Sequence, residues 1–520
     1  MFYFSRIKPL LSNIYLYIKW YHIVYNIQTN RLKKERVDIL NKKNFKDYNL
    51  SDEILKSVDL LGYKNLTKVQ EETLPIILKG KDLVVKSQTG SGKTAAFAVP
   101  ICESIYWDER SPQALVIVPT RELAMQVREE FFNIGRFKRL KIVEVYGKAP
   151  YGRQERELKE RAHVVVGTPG RIIDHLERGN LRVDKIKYLV LDESDEMLNM
   201  GFLEQVENII EKLPEERVNL LFSATMPEDI EELSKKYMNN PSYIEIESSS
   251  NTLDRIEQVR YNVEGIEKIE LLKDITVVEN PDNCIIFCNT RDDVNFVYNA
   301  LMDENYSCDK IHGGMEQRDR TEVMEDFKMG KFRFLVATDV AARGIDVEDI
   351  THVINYDIPR EVEPYIHRIG RTARKGKTGK AILLHDNYEE KYLKDILEYM
   401  GKDIKLVEPL TEEEVEKNNA SFRKKMNEER EDIRIKGESL NEGILKLHIN
   451  AGKKTKMRAG DVVGAICSID GVNVEDIGII NIIDVSTFVE ILNNKGDMVY
   501  KALQNTKIKG RVRNISIARR

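Results

Sequence analysis

The chain has 520 residues, of which 42% are hydrophobic and 32% charged, with a formal net charge of -5. The composition is typical of soluble globular proteins, and the length exceeds what one hydrophobic core usually serves, which excludes a single small domain. Residues 443–520 hold 13 Lys and Arg against 7 Asp and Glu, which leaves a net charge of -11 on residues 1–442, so the basic C-terminus predicts a polyanionic partner.

Residues 1–43 carry none of the patterns discussed below. The first 46 residues hold 10 Lys and Arg against 2 Asp and Glu, and an apolar stretch over residues 10–25 is interrupted by Lys19. This interruption argues against a signal peptide, and a membrane span needs about 20 apolar residues. A basic amphipathic surface helix is one alternative. We expect an extension without a fold of its own, such as a misassigned start codon would add, and no stable membrane association.

Residues 44–245 alternate short apolar runs with longer amphipathic stretches. Continuous Val, Ile and Leu runs separated by helical patterns indicate strands that are buried on both faces of a parallel sheet. The predicted strands are 83–85, 115–118, 164–166, 188–191 and 219–222.

A glycine-rich run follows the first of these strands and opens a helical stretch. The run is Ser87-Gln88-Thr89-Gly90-Ser91-Gly92-Lys93-Thr94. Glycines let successive backbone N–H groups face an anion, and the following helix adds its positive dipole end. We therefore predict a phosphate-binding loop in which Lys93 contacts the β- and γ-phosphates and the Thr94 hydroxyl holds Mg²⁺. The alternative is a glycine-rich turn that caps a helix.

An acidic pair follows the strand 188–191. In a parallel sheet that also carries a phosphate loop, this position suits a metal-holding Asp and a water-activating Glu. We assign these roles to Asp192 and Glu193, which makes Lys93, Asp192 and Glu193 candidate catalytic residues. A cluster of helix-capping carboxylates is the alternative.

Residues 246–256 form a polar linker, and the alternating pattern resumes over 257–408. The predicted strands of this second α/β domain are 284–288, 334–336, 352–354 and 381–384. The chain has five cysteines, an odd number without disulfide-framework spacing, so we expect reduced thiols in a cytoplasmic protein. A zinc site at Cys284 and Cys288 is a weaker alternative, because no His or second Cys pair is nearby.

The C-terminal part of the chain changes character twice. Residues 409–442 are dense in both charges and predict a solvated helical connector. Residues 443–520 then predict the order β-α-β-β-α-β, which is typical of a small RNA-binding domain. The predicted elements are strands 444–449, 477–482, 488–492 and 512–517 and helices 461–468 and 497–504.

Nine ordered motifs over about residues 45–390 resemble the DEAD-box ATP-dependent RNA helicases. The first domain carries Gln70 with Gly62, Tyr63 and Thr67, then SQTGSGKT, PTRELA, TPGR, DESD and SAT. The second domain carries QxxR at 317–320, TDxAxRGxD at 338–346 and HRIGRTAR at 367–374. The resemblance implies two tandem RecA-like domains and ATP hydrolysis with Mg²⁺.

The resemblance also implies roles for residues outside the phosphate loop. Gln70 reads the adenine edge, because an amide donates and accepts at once. Phe45 stacks on the base or, alternatively, anchors the first helix. Arg371 and Arg374 act as arginine fingers that complete the site when the domains close. The implied ATP-binding residues are Phe45, Gln70, Thr89, Gly90, Ser91, Gly92, Lys93, Thr94 and Asp346.

Contacts to the RNA backbone are implied for hydroxyl and guanidinium groups of both domains. These residues are Thr120, Arg121, Thr168, Arg171 and Thr338. The chain departs from the family at Lys148, where a Gly-Gly pair is usual, and at Ala373, where Gly is usual. We expect Lys148 to contact a phosphate and neither change to remove a catalytic group.

Residues 443–520 are similar to the RNA-binding domain of the DbpA/YxiN branch of this family. The central strands offer almost no aromatic residues, so we expect recognition by basic segments. The segments are Lys453, Lys454, Lys456 and Arg458, and Lys507, Lys509, Arg511 and Arg513. The branch implies that the target is a structured hairpin of large-subunit ribosomal RNA. We expect a cytoplasmic, monomeric helicase that remodels this RNA, or its precursor particle, during ribosome assembly. A nonspecific RNA tether, a general RNA-decay or cold-adaptation helicase, and an ATP-switched RNA clamp are the alternatives.

Overall fold

The first domain is built on a parallel sheet of seven strands in the order β3-β4-β2-β5-β6-β1-β7. The computed structural model describes residues 43–88, 90–246, 253–342, 350–373, 377–401, 403–428, 430 and 438–518. The strands are β1 (Leu83–Lys86), β2 (Ala114–Ile117), β3 (Ile142–Val145), β4 (Val164–Gly167), β5 (Tyr188–Asp192), β6 (Val218–Ser223) and β7 (Ser242–Glu245). The helices are α1 (Asp52–Leu60), α2 (Lys68–Leu78), α3 (Lys93–Ser104), α4 (Arg121–Ile134), α5 (Tyr151–Lys159), α6 (Pro169–Glu177), α7 (Ser194–Asn199), α8 (Leu203–Ile210) and α9 (Glu228–Tyr237).

Both faces of this sheet are buried, as the continuous apolar runs predict. Along β1, Leu83 and Val85 belong to one core cluster, and Val84 between them belongs to the cluster on the opposite face. Successive side chains of a strand point to opposite faces, so an unbroken apolar run fills both layers. The predicted parallel α/β class is confirmed, while the analysis missed the strands β3 and β7.

The second domain repeats this architecture in the strand order β10-β11-β9-β12-β13-β8-β14. Its strands are β8 (Ile256–Asn262), β9 (Cys284–Cys288), β10 (Cys308–Ile311), β11 (Phe334–Thr338), β12 (His352–Asn355), β13 (Gly379–His385) and β14 (Lys405–Leu406). Its helices are α10 (Lys268–Glu279), α11 (Arg291–Asp303), α12 (Gln317–Lys328), α13 (Asp339–Ala342), α14 (Val362–Ile369) and α15 (Glu390–Met400). Strand β8 begins at Ile256, the last residue of the predicted linker, and the rest of that linker lies largely outside the described residues.

The cysteines of β9 belong to the core rather than to a metal site. Cys284 and Cys288 are both fully buried in one apolar cluster, and all five cysteines of the chain are free. Burial raises the pKa of both thiols. The described part of the chain contains no group of three or more His, Cys, Asp or Glu side chains placed to hold a metal ion. None of the helices in the described ranges is long and apolar enough to cross a membrane.

Helix α16 (Glu412–Met426) follows the second domain and is not fully solvated, contrary to prediction. Phe422 is fully buried in the core of the second domain, with its ring centroid 5.1 Å from that of Tyr306. Farther along, Arg430 donates to the carbonyl oxygen of Phe332 at 2.9 Å. The connector therefore extends the second domain as far as Arg430.

The C-terminal module is a four-stranded antiparallel sheet with two helices on one face. Its strands are β15 (Leu445–Ile449), β16 (Ile477–Ile482), β17 (Thr487–Ile491) and β20 (Ile515–Ile517), in the order β16-β17-β15-β20, and its helices are α17 (Ala459–Cys467) and α18 (Gly496–Leu503). The predicted last strand is wrong in part. Its first residue, Val512, belongs to a separate two-stranded ribbon made of β18 (Lys507–Ile508) and β19 (Arg511–Val512), and only Ile515–Ile517 join the sheet.

Candidate nucleotide and nucleic-acid site

The predicted phosphate loop and acidic pair lie at the same edge of the first sheet. Strand β1 leads into the loop, β5 leads into the acidic pair, and β6 lies between these two strands. Because the strands are parallel, their carboxyl ends meet at one edge. Lys93 is buried there and its Nζ donates to the carbonyl oxygen of Ser87 at 2.9 Å. This hydrogen bond holds the Lys93 side chain across the predicted phosphate-binding loop.

The loop needs its glycines for both backbone and space. Gly90 and Gly92 have φ of 78° and 91°, in the left-handed region that favours glycine. A Cβ on Gly92 would lie 2.8 Å from Nε2 of Gln70. The Ser91 hydroxyl donates to that of Ser87 at 3.3 Å. Thr94 lies in the first turn of α3, and Thr89 lies outside the described residues.

Gln70 ties this loop to the start of α2. Its Nε2 donates to the carbonyl oxygen of Gly92 at 3.1 Å, and its Oε1 accepts from the backbone N–H of Thr67 at 3.0 Å. Both ends of the amide therefore have partners within the protein, so adenine reading stays a prediction. Phe45 is buried in the core of the first domain, 6.2 Å from the Tyr63 ring, as the anchor interpretation expects. Stacking on a base stays a prediction as well.

The acidic pair combines burial with a strained backbone. Asp192 is only 2% exposed, and burial raises the pKa of its carboxyl group to about 7, with the charge of Lys93 opposing that rise. Glu193 has φ of 52°, a left-handed conformation that is uncommon for a residue with a Cβ. Such strain is concentrated at functional sites. The left-handed conformation makes the chain leave the direction of β5 at Glu193, at the edge of the sheet where the phosphate loop lies.

The donors at this edge fit Mg²⁺, a hard cation that prefers oxygen ligands. The Asp192 carboxylate is buried beside Lys93, so an added cation would offset the burial that raises its pKa. Thr94 supplies a hydroxyl in the adjoining helical turn. Thr94 and Asp192 would hold the ion, which when bound would neutralise phosphate charge.

Asp195 is a positioning residue to which the sequence analysis gave no role. Its Oδ2 accepts from the backbone N–H groups of Ala224 and Thr225, at 3.0 and 2.8 Å, and from the Thr225 hydroxyl at 3.0 Å. Its own N–H donates to the Ser223 hydroxyl at 3.1 Å. The DESD and SAT motifs are therefore joined directly. The sequence feature that could have indicated this contact is the second Asp of DESD together with the hydroxyl residues of SAT farther along the chain.

Arg368 organises the corresponding edge of the second domain, another role that the analysis missed. Its guanidinium is 1% exposed and binds both carboxylate oxygens of Asp339, at 2.5 and 2.7 Å. It also donates to Asn289 at 2.9 Å and to the carbonyl oxygen of Asp357 at 2.6 Å. A bidentate, fully satisfied pair of this kind holds α13 and α14 together.

The candidate residues of the second domain lie around this network. Thr338 ends β11 directly before Asp339. Arg371 follows α14, is mostly buried, and donates through Nε to the carbonyl oxygen of His367 at 3.2 Å. Arg374 and Asp346 lie outside the described residues, so the second arginine finger and the Asp346 contact stay predictions.

A cleft of about 640 Å³ between the two domains gathers four of the five predicted RNA-backbone residues. Thr120, Arg121, Thr168 and Arg171 all line it, whereas Thr338 is not among its lining residues. Thr120 caps α4 by accepting from the backbone N–H of Leu123 at 3.2 Å. The cleft is therefore lined by hydroxyl and guanidinium groups at helix starts, which suits phosphate oxygens.

Two contacts join the domains across this cleft. Arg121 donates to the side-chain oxygen of Gln317 at 3.3 Å, and the guanidinium of Arg320 lies 2.7 Å from the Glu122 carboxylate. Both members of the second pair are buried. The PTRELA and QxxR motifs are thus in contact, which links the backbone-binding segment of one domain to the other domain.

Both departures from the family fall on left-handed backbone. Lys148 has φ of 61° and Ala373 has φ of 56°. Glycine adopts this region without strain, whereas a side chain costs roughly 1–2 kcal/mol there. Lys148 is exposed and lines the cleft, so its side chain is placed to contact a phosphate.

Lys148→Gly is expected to affect stability and RNA binding in different ways. The strain relieved is roughly 1–2 kcal/mol and the added freedom of the unfolded chain costs roughly 0.5–1 kcal/mol, so stability should stay equal or rise slightly. Loss of one phosphate contact should reduce the slope of log affinity against log salt by about 0.7 for single-stranded RNA. Thermal unfolding and RNA titrations at several salt concentrations measure both effects. Lys148→Ala is the control, because it removes the charge and keeps the strain; an unchanged salt slope in both variants would refute the contact.

The two basic segments of the C-terminal module lie side by side. The ammonium group of Lys509 donates to the carbonyl oxygen of Lys456 and lies 3.4 Å from the Asp461 carboxylate. The loop with Lys453, Lys454, Lys456 and Arg458 therefore adjoins the ribbon that carries Lys507, Lys509, Arg511 and Arg513. The structure joins both predicted sets into one basic surface.

The open face of the module sheet carries one aromatic pair. His448 of β15 stacks on Phe488 of β17, with ring centroids 5.0 Å apart, and the Lys446 ammonium lies 5.5 Å from the Phe488 ring. This face borders a cavity of about 230 Å³ whose opposite wall includes Arg128 and Phe132 of the first domain. The pair is therefore turned towards the first domain, and the basic loop and ribbon remain the exposed elements.

Comparisons with known proteins divide the chain in the same way. Residues 67–233 match the DEAD/DEAH box helicase family, residues 267–376 the helicase conserved C-terminal domain, and residues 446–517 the DbpA RNA binding domain. The chain is 54% identical over 467 residues to the ATP-dependent RNA helicase DbpA of Bacillus subtilis, covering 90% of this chain and 98% of that protein.

Other relatives share the helicase domains. The DEAD-box ATP-dependent RNA helicase CshA of Geobacillus kaustophilus is 45% identical over 338 residues, which cover 65% of this chain and 72% of CshA. Among solved structures, S. cerevisiae Dbp5 bound to RNA and ADP BeF3 is 31% identical with a TM-score of 0.65, and the match covers 74% of this chain and 100% of the Dbp5 chain in that structure.

Proposed function

The chain belongs to the DEAD-box ATP-dependent RNA helicases of the DbpA type, RNA-stimulated ATPases, and we propose that it remodels large-subunit ribosomal RNA during ribosome assembly. In this proposal the C-terminal module binds a structured element of that RNA, and the two helicase domains unwind a short duplex nearby. The observation that carries it is the single basic surface formed by the loop at 453–458 and the ribbon at 507–513.

The chemistry of each cycle follows from the placement of the side chains. Lys93 would bind the phosphates of ATP, and Glu193 would orient and polarise the attacking water. Arg371 belongs to the second domain, so it would neutralise phosphate charge only when the domains are together. The contact of Glu122 with Arg320 supports this coupling, because it joins the PTRELA segment of the first domain to the second domain within the cleft.

The proposal includes Mg²⁺ as the ion that accompanies ATP, a monomeric protein and a cytoplasmic location. Oxygen donors at Thr94 and Asp192 support the ion. Free thiols in all five cysteines support a reducing compartment.

Crosslinking the protein to RNA in cells and mapping the bound sequences tests the RNA target. We expect the reads to cluster at one region of large-subunit ribosomal RNA and to disperse when the basic loop is neutralised by Lys453→Gln, Lys454→Gln, Lys456→Gln and Arg458→Gln. A control with equal charge loss on exposed lysines elsewhere carries Lys391→Gln, Lys394→Gln, Lys417→Gln and Lys424→Gln. Reads spread over messenger RNA in the unaltered protein would instead favour a general RNA-decay helicase.

A further inference from the structure

The C-terminal module is docked on the first helicase domain. Leu440, just before the module, is buried in the core cluster of that domain. Beside it Arg136 donates to the side-chain oxygen of Asn441 at 2.7 Å and lies 3.4 Å from the Glu490 carboxylate. Arg136 is 6% exposed and the Glu490 side chain 12%, so water screens this ion pair weakly. Because α16 packs on the second domain, the chain crosses to the first domain before the module begins.

A groove of about 760 Å³ remains between the module and the first domain. Its lining holds seven Lys and Arg side chains and one acidic side chain, Glu160. Glu160 already pairs with Lys453 of the module, and its other oxygen lies 3.9 Å from the Lys141 ammonium. The groove therefore has a strong positive potential in a chain whose net charge is negative.

Four of these cations form no ion pair with any carboxylate in the described part of the chain. They are Arg110, Arg139, Arg161 and Arg182, of which Arg110 and Arg182 are exposed. Burial lowers the pKa of their neighbour Lys141; the charge of Glu160 opposes this shift, and the charges of Arg161 and Lys453 add to it. Cations held close together without counter-charges repel one another, and binding a polyanion removes that cost.

The groove also carries an exposed tryptophan. Trp107 is 43% exposed, and the Arg161 guanidinium lies 4.3 Å from its ring. Its indole N–H donates to the carbonyl oxygen of Arg139 at 3.3 Å, which fixes the ring at the groove wall. An aromatic ring held among cations is the arrangement that binds single-stranded nucleic acid, because bases stack on the ring while cations contact the backbone.

A track of side chains connects this groove to the RNA cleft. The first residues of helix α6, from Pro169 to Arg171, line the cleft, and Gly179 and Asn180 after the end of the helix line the groove. Nine helical residues span about 14 Å. Along this path the Tyr151 ring lies 5.4 Å from the Arg171 guanidinium and 4.5 Å from that of Arg178. Cations and an aromatic ring therefore continue from one site to the other.

We propose that the groove between the first helicase domain and the C-terminal module binds single-stranded RNA, with Trp107 as a stacking surface and Arg110 and Arg182 as phosphate contacts. This inference rests on the proposed function. It adds a path along which RNA bound by the module could reach the cleft between the helicase domains. The groove shares Lys453 with the basic surface of the module but is otherwise separate from that surface, and it shares no lining residue with the cleft. An acidic polypeptide would satisfy the cations but would leave the stacking surface unused, so RNA is the ligand that the groove favours.

Tryptophan fluorescence of the full chain tests this site directly. The chain has two tryptophans, Trp20 and Trp107, so Trp20→Phe leaves Trp107 as the reporter. In that background we expect oligouridylate without nucleotide to quench the emission in a saturable, salt-dependent manner. Arg110→Gln with Arg182→Gln should reduce the slope of log affinity against log salt by about 1.4, at about 0.7 for each phosphate contact. The control Lys212→Gln with Lys391→Gln removes the same charge from exposed positions outside the groove and should keep the slope.

The outcomes separate the groove from the proposed function. Unchanged Trp107 emission at RNA concentrations that saturate ATPase stimulation would overturn the groove and leave the helicase assignment intact. Equal quenching by polyglutamate would show a generic polyanion surface and would also overturn it, as would equal salt slopes in the double variant and its control. Quenching that depends on Arg110 and Arg182, in a protein whose crosslinks avoid ribosomal RNA, would support the groove and contradict the proposed target.

Discussion

Lys93→Ala is expected to abolish ATP hydrolysis while RNA binding by the C-terminal module survives. The Lys93 ammonium is the cation held within the phosphate loop, where it donates to the carbonyl oxygen of Ser87. Positioning and charge neutralisation supply almost all of the catalysis of phosphoryl transfer, so loss of this cation removes ground-state binding and transition-state stabilisation together. RNA-stimulated release of phosphate measures the loss of hydrolysis, and RNA binding without nucleotide measures whether the module still binds RNA.

The matched control is Lys81→Ala, which removes an exposed lysine just before β1. It should hydrolyse ATP at the rate of the unaltered protein. Turnover by Lys93→Ala comparable to that of the control would refute the assignment of the phosphate loop. Thermal unfolding of both variants distinguishes a lost cation from a damaged fold, because Lys93 is buried.

Glu193→Gln is expected to slow hydrolysis about 10²- to 10⁴-fold and to lengthen the residence of RNA on the protein. The amide keeps the shape of the side chain on its left-handed backbone but accepts a proton from water far less well. ATP would still bind and hold the domains together, so RNA would remain enclosed in the cleft. Single-turnover hydrolysis and the dissociation rate of labelled RNA measure the two effects.

Glu204→Gln, at an exposed position of α8, is the control for this change. Both its hydrolysis and its RNA residence should equal those of the unaltered protein. If Glu193→Gln neither slows hydrolysis nor prolongs RNA residence relative to this control, Glu193 is not the group that activates water.

The parts of the site that could be predicted from sequence are the contiguous ones. The phosphate loop and the acidic pair each lie within a few residues of a strand end, so local order alone places them at the edge of a parallel sheet. The buried strands β1 and β9 could also be predicted from local sequence, because their apolar runs are unbroken. The strands that the analysis missed are mostly at or near sheet edges. Strand β7, for example, alternates between exposed and half-buried residues and has no such run.

Contacts between distant segments could not be predicted in this way. In the sequence Arg368 is one of several charged residues of a motif, and its burial against Asp339 and Asn289 depends on the meeting of three segments that are distant along the chain. The docking of Phe422 and Leu440 on different domains likewise depends on tertiary packing rather than on local pattern. The charged connector thus contains two apolar residues, Phe422 and Leu440, whose packing determines the position of the module.

The central claim is that the C-terminal module holds the helicase domains on ribosomal RNA. Its most direct test compares the full chain with a chain that ends at residue 442. For both, ATPase stimulation is measured with large-subunit ribosomal RNA and with random RNA at two salt concentrations. Removal of residues 443–520 takes away a net charge of +6 and no catalytic motif. At saturating RNA both chains should hydrolyse ATP. For the shortened chain, the concentration of ribosomal RNA that gives half-stimulation should rise steeply and approach that of random RNA, because the element that discriminates between RNAs is gone. Equal discrimination between the two RNAs by both chains would contradict the account.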